Sequence, residues 1–123
     1  MPNDKSPNYP VTIIDLGAHN GTDIQYYLNK ADLVVAVEAN PEMCEIIRKN
    51  HPEELSTGAL VVENCVVTTN DDYRDEGVDF FIHNEHTYLS QLEEPKSNRR
   101  MLYTKHRLQC RSIEDLDTLK NRL

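Results

Sequence analysis

Three nearly continuous runs of β-branched and small apolar residues constrain this chain more than any other feature: "VTIIDLG" at 11–17, "LVVAVE" at 33–38 and "ALVVENCVV" at 59–67. A run that does not alternate with polar residues reads as a strand buried on both faces, as in a parallel sheet. Between the first two runs, "GTDIQYYLNKA" sets Ile24, Tyr27, Leu28 and Ala31 at helical spacing, so a helix is expected there. Between the second and third, Asn40 and Pro41 make a helix start, with Asn as cap and Pro in the first turn, where its missing N–H is no loss. Met43, Ile46 and Ile47 then supply an apolar stripe, and Pro52 is expected to end that helix. Parallel strands need crossovers of this length, and their hand is nearly fixed. The pattern is βαβαβ, the first half of an open, doubly wound α/β sheet.

After the third run the pattern changes. "GVDFFI" reads as a strand, but "HNEHTYLSQLEEPKSNRR" behind it has no helical stripe. "MLYTKHRLQCRS" sets Leu102, Leu108 and Cys110 among polar neighbours and reads as another strand, placed to pair with the previous one as a hairpin. Ser112, Ile113, Glu114 and Asp115 resemble a capping-box start, with Ile113, Leu116 and Leu123 on one face of a last helix. Residues 1–10 are polar and proline-broken and read as a lead-in, and residues 11–123 as a single domain, which a chain of this length leads one to expect.

The apolar fraction of 38% and the formal charge of -8 suit a soluble, folded protein. No apolar run approaches the ~20 residues of a membrane span, and the first residues lack the basic start and apolar middle of a signal peptide. Cys44, Cys65 and Cys110 are an odd number without paired spacing, which argues for reduced thiols in the cytoplasm. His83 and His86 form an H-x-x-H, read here as a polar turn after a strand, because metal sites gather three or four ligands. No metal is expected. Residues 96–111 hold six of the thirteen Lys and Arg and none of the acids. In an acidic chain without tryptophan this reads as a solvated loop and one basic strand face, and speaks against nucleic acid as a partner.

The end of the first run, "IIDLGAHNG", raises the question of function. In an open parallel sheet, ligands sit outside the carboxyl ends of the strands, so the turn after the first strand is the expected cofactor floor. Gly17 permits a sharp turn, Gly21 a close start of the following helix, and that helix start offers N–H groups to an anion. The dinucleotide fingerprint G-x-G-x-x-G is not met, since His19 stands where the middle glycine should be. Asp15 gains nothing beside a phosphate but suits a ligand with an ammonium group, as S-adenosylmethionine has. Glu38, ending the second run, can accept hydrogen bonds from two vicinal ribose hydroxyls. Asn64 is placed either to reach an adenine edge or to serve as an ordinary turn residue.

At these residues the chain resembles the class I S-adenosylmethionine-dependent methyltransferases, and within them the FkbM-type group. "IIDLGAHNG" is similar to that group's D-x-G-A-x-x-G, and "VVAVEANP" to its acid-x-N-P after the second strand. "VVENCVV", "VDFFIHNEHTYLSQL" and "RLQCRSIEDL" resemble the third strand, an added hairpin, and the strand and helix that follow it. The resemblance covers about residues 11–120. It implies a Rossmann-like fold, with the methionine amine near Asp15, its carboxylate near Ala18, His19, Asn20 and Gly21, the ribose on Glu38 and the adenine near Asn64. It also implies O-methylation of a small hydroxylated acceptor.

The same resemblance leads one to expect a fourth core strand with an acidic, glycine-containing end, and the sequence stops before one. The expectation is therefore the N-terminal half of a doubly wound methyltransferase sheet with an added β-hairpin and a final helix, whose first strand is an exposed edge that a completing chain or oligomer could cover. No catalytic base stands out. His19, Glu85, His86 and Ser90 are candidate contacts, each also readable as a solvated loop residue. Two other readings stay open: a non-catalytic adenosine-binding or interaction module, and an NAD-dependent oxidoreductase, against which His19 and Asp15 speak.

Overall fold

The computed structural model describes residues 10–68 and 76–116. It is a mixed α/β arrangement of one parallel and two smaller strand pairings. The parallel sheet has three strands in the order β1 (Thr12–Leu16), β2 (Leu33–Val37), β3 (Leu60–Glu63). Thr12 lies opposite Leu33 and Leu16 opposite Val37; on the other side Val34 pairs with Leu60 and Val37 with Glu63. The crossovers carry α1 (Ile24–Leu28), then α2 (Pro41–Asn50) and α3 (Pro52–Thr57).

Burial follows from β2's central place. Val34 and Ala36 pack on one face of the sheet with Ile24, Leu28, Ile47 and Leu60. Leu33, Val35 and Val37 pack on the other with Cys65 and Leu116. All five residues of β2 are buried, as its unbroken apolar run requires. β1 has an equally apolar sequence but is only half buried, with Thr12 and Leu16 exposed at its ends. The reason is position: among the described residues β1 pairs only with β2, so the expectation of two buried faces fails at this edge.

Three local expectations change. In α2 the buried residues are Met43, Cys44 and Ile47, while Ile46 is exposed: Cys44 rather than Ile46 completes the buried stripe with Met43 and Ile47. α2 ends at Asn50, before Pro52, as expected, but the connection that follows is itself helical: Pro52 opens α3, where proline at the first helical turn is well tolerated. The third apolar run divides at Asn64 and Cys65 into β3 and a two-residue β4 (Val66–Val67), which leaves the first sheet and pairs in parallel with β7 (Cys110–Arg111).

The hairpin forms as expected. β5 (Val78–His83) and β6 (Tyr103–Leu108) pair antiparallel, from Val78 opposite Leu108 to His83 opposite Tyr103. The connection between them holds only 3-10 turns, at Thr87–Leu89 and Ser97–Leu102. Ile113–Asp115 is a single 3-10 turn, without a side-chain cap from Ser112; the rest of the expected last helix, with Leu123, lies outside the described residues, as do residues 1–9 of the lead-in. Leu116, fully buried, fixes this end of the chain to the β2 face. No described helix is long and apolar enough to cross a membrane.

Candidate functional site

β1 and β2 end side by side, and the chain leaves β1 through Gly17 at φ +77°. The amides of Gly17 and Ala18 both donate to the Val37 carbonyl, at 2.8 and 3.1 Å, so the turn is fastened to the end of the neighbouring strand. His19 follows at φ +52°, the one non-glycine residue with positive φ among those described. Such a conformation costs a residue with a β-carbon about 1–2 kcal/mol.

The backbone N–H of His19 donates to Glu38 Oε1 at 2.6 Å, and that of Asn40 donates to Glu38 Oε2 at 2.8 Å. The Glu38 carboxylate, only 8% exposed, is thus held between two backbone donors, one from the turn after each strand. Amide bonds to an ionised carboxylate are about twice as strong as neutral ones, and each oxygen keeps a further lone pair. Asn40 is the expected cap of α2, its Oδ1 accepting from the Glu42 N–H at 2.9 Å. The same turn is fixed from two more directions. Asn64 Nδ2 donates to the carbonyls of Glu38 and Ala39, both at 2.9 Å, and the Cys44 thiol donates to the Glu38 carbonyl at 3.3 Å. Burial, the largest cause, pushes the Cys44 thiol up to about 11.

Above this floor lies a cleft of about 600 Å³, within the ~300–1,000 Å³ of small-molecule sites. Gly17, His19, Val37 and Glu38 form its floor, with Leu16 and Ala39 at the sides. Cys65, Val66 and Val67 make one apolar wall; Phe80, Thr87, Ser90 and Leu92, from the hairpin and its connection, make the other. His19 Nε2 hydrogen-bonds with Thr87 Oγ1 at 2.9 Å, and Ser90 Oγ donates to the Thr87 carbonyl at 2.6 Å.

Of the residues expected from sequence to bind a cofactor, Gly17, His19 and Glu38 line this cleft, and the others do not. Asp15 shares a strand face with Ile13, toward α1. Burial raises its carboxyl above the usual range, with Asp23 and then Glu38 adding repulsion. Asp15 is in turn the main cause that raises the Tyr27 phenol. Ala18 is part of the core beneath the turn. Asn20 Oδ1 accepts from the Thr22 N–H at 3.3 Å. Gly21 is needed for packing: it has φ +82°, and a β-carbon there would lie 2.8 Å from Ile47 Cγ1. With the Gly21 N–H donating to Ala18 O at 3.0 Å, the amides of residues 17, 18, 19 and 21 all have acceptors inside the protein. The turn expected to receive a ligand carboxylate is therefore closed on itself at these positions, and α1 behind it has only five residues.

Asn64 stands at the floor's edge in the role of a turn residue, its Nδ2 engaged by two carbonyls. Sequence reading missed Thr87, Leu92, Phe80 and the wall from Cys65 to Val67. Only the break of the third apolar run at Asn64 hinted that the chain bends there. Ser90 is at the cleft, whereas the exposed Glu85 and His86 are not among its lining residues. The H-x-x-H is a turn anchor: His83 Nδ1 accepts from the Glu85 and His86 amides at 3.2 and 3.0 Å. No group of three potential metal ligands occurs among the described residues. In the basic segment Arg100 pairs with Glu94 at 3.3 Å and Arg107 with Asp79 at 3.2 Å, all four side chains well exposed.

No family model matches the sequence, no curated protein matches it, and no solved structure matches the chain.

Proposed function

We propose that the chain is the cofactor-binding part of an S-adenosylmethionine-dependent methyltransferase of the FkbM type, with a Rossmann-like sheet and a small hydroxylated molecule as acceptor. The observation that carries this reading is Glu38: a nearly buried carboxylate at the carboxyl end of the central parallel strand, pre-oriented by two amides on the floor of a ligand-sized cleft. Ligands of open parallel sheets collect at that end, and an acid there suits the vicinal hydroxyls of a ribose. The sequence resemblance in "IIDLGAHNG" and "VVAVEANP" supports the same assignment.

The residues fit the adenosyl part of the cofactor. Glu38 would hold the ribose, and Val66, Val67 and Phe80 offer an apolar slot for the base. When bound, the cofactor would supply an electrophilic methyl group, and Glu38 with the apolar slot would orient its adenosyl part. The outer edge of β1, unpaired among the described residues, would give a completing chain a place to add strands, and the three buried, unbridged thiols agree with a cytoplasmic setting.

A dinucleotide fits less well, since a pyrophosphate seeks amides at the glycine turn and those of residues 17, 18, 19 and 21 have protein acceptors. A non-catalytic adenosine-binding module is the second reading. It is favoured by the lining of the cleft, where Glu38, His19 and Cys65 are the only titratable side chains among the described residues. Thermal-shift titrations with S-adenosylmethionine, S-adenosylhomocysteine, NAD and adenosine test the proposal. Stabilisation by the first two and not by NAD supports it, whereas stabilisation by NAD alone overturns it. Release of S-adenosylhomocysteine in the presence of hydroxylated acceptors then separates enzyme from module.

A further inference from the structure

His19 joins the two sides of the cleft. Its backbone belongs to the floor, with the N–H on Glu38 Oε1 at 2.6 Å. Its ring reaches the opposite wall, where Nε2 meets Thr87 Oγ1 at 2.9 Å. Thr87 opens the 3-10 turn Thr87–Leu89, whose other bonds among the described residues are local: the Leu89 amide to His86 O at 2.9 Å, the Ser90 amide to Thr87 O at 3.2 Å, and Ser90 Oγ to the same carbonyl. The next backbone tie to the hairpin is at Gln91, which exchanges two bonds with Phe81.

The turn after β1 does not ask for a histidine. At φ +52° glycine would sit with less strain. Strain kept at a ligand-facing residue points to a use for its side chain. The bond to Thr87 also survives in either histidine tautomer, because a hydroxyl both donates and accepts.

We infer that His19 is the positioning residue of the cleft, holding the Thr87–Ser90 turn down over the floor, so that ligand affinity depends on this bond between loop and hairpin connection. The inference rests on reading the cleft as the ligand site. A molecule lying on Glu38 has the turn as its upper wall. With the tie broken, the Thr87 and Ser90 side chains move away from the floor and the cleft loses that wall.

The test is residue-resolved amide hydrogen exchange on the full chain as wild type, His19→Gly, Thr87→Val, Thr87→Ser and the His19→Gly/Thr87→Val double variant, without ligand and with S-adenosylhomocysteine. Without ligand, the Leu89 and Ser90 amides should exchange about three- to tenfold faster in the first two single variants, the loss of one ordinary hydrogen bond. The double variant should be no faster than either, since both remove one interaction. Thr87→Ser, which keeps the hydroxyl, should match wild type, and the Phe81 and Gln91 amides should not change. Unchanged exchange at Leu89 and Ser90 in both variants, or additive acceleration in the double variant, overturns the inference. The ligand arm separates the two claims. Local acceleration in the variants with no response of any protein to S-adenosylhomocysteine defeats the cofactor reading and leaves the tie standing. Equal ligand protection in wild type and Thr87→Val defeats the positioning role and leaves the cofactor reading standing.

Discussion

The His19 amide and the Glu38 carboxylate, 2.6 Å apart, bind the turn after β1 to the end of β2. With the Asn40 amide on the other oxygen, the carboxylate organises both strand ends before any ligand arrives. Such pre-orientation lowers the cost of ordering a site when a ligand binds.

Glu38 therefore has a structural duty that can be measured alone. Replacing it with alanine leaves the half-buried His19 amide and the buried Asn40 amide without their acceptor. The expected loss of stability is about 1–3 kcal/mol for each amide. Glu38→Gln, which keeps one carbonyl oxygen, should lose less. Urea denaturation midpoints of the two variants check the order.

Asp15 should cost stability at neutral pH. Its carboxyl is held above the ordinary 3.8, chiefly by burial, so the folded state holds its proton more tightly than the unfolded state does. Stability is then lost as pH rises from that value through the raised folded pKa. Asp15→Asn is expected to melt higher than the wild type at pH 7, with the gain vanishing below pH 3.8. Because Asp15 lies outside the lining of the cleft, the same variant should bind S-adenosylmethionine as the wild type does. Melting curves at both pH values and one titration decide it.

The two glycines of the turn should respond differently to alanine. At Gly21 the added methyl group meets Ile47 Cγ1 at 2.8 Å as well as an unfavourable φ, while at Gly17 there is open space and only the φ of +77° to object. Gly21→Ala is expected to cost about 2–4 kcal/mol, combining backbone strain with overpacking, and Gly17→Ala about 1–2 kcal/mol. Equal losses in denaturation experiments would show that the Ile47 contact is easily relieved.

Cys44 is fully buried, and its thiol is raised from 9.0 to about 11. Between those values the unfolded chain gives up its thiol proton and the folded chain keeps it, so this group costs stability as pH rises from 9 to 11. Iodoacetamide at pH 8.5 should leave Cys44 unmodified in the folded protein and label it after denaturation, as peptide mapping will read.

The parallel strands were legible because β2 is buried on both sides and its sequence has no polar interruption. The same reasoning overestimated β1, since an apolar run states how much could be buried and says nothing of whether a neighbour is there. Ile46 and Cys44 exchanged roles because both helical phases contain apolar residues, and the choice falls to the surface they pack on. At the site, Glu38 and Gly17 were readable from their place at strand ends. Gly21 was readable as a glycine but not for its reason, because Ile47 is twenty-six positions away in sequence. Thr87 was invisible for a related cause. It lies in a polar stretch without periodicity, and only the folding of the hairpin back over the strand ends brings it within 2.9 Å of His19.

Calorimetric titration of S-adenosylhomocysteine into the folded wild-type chain and into a folded Glu38→Gln variant tests the central claim most directly. The account predicts saturable binding to the wild type and at least a roughly tenfold loss in the variant, the scale of one hydrogen bond to a charged group. No binding to the folded wild type, or equal affinity in both proteins, would contradict it.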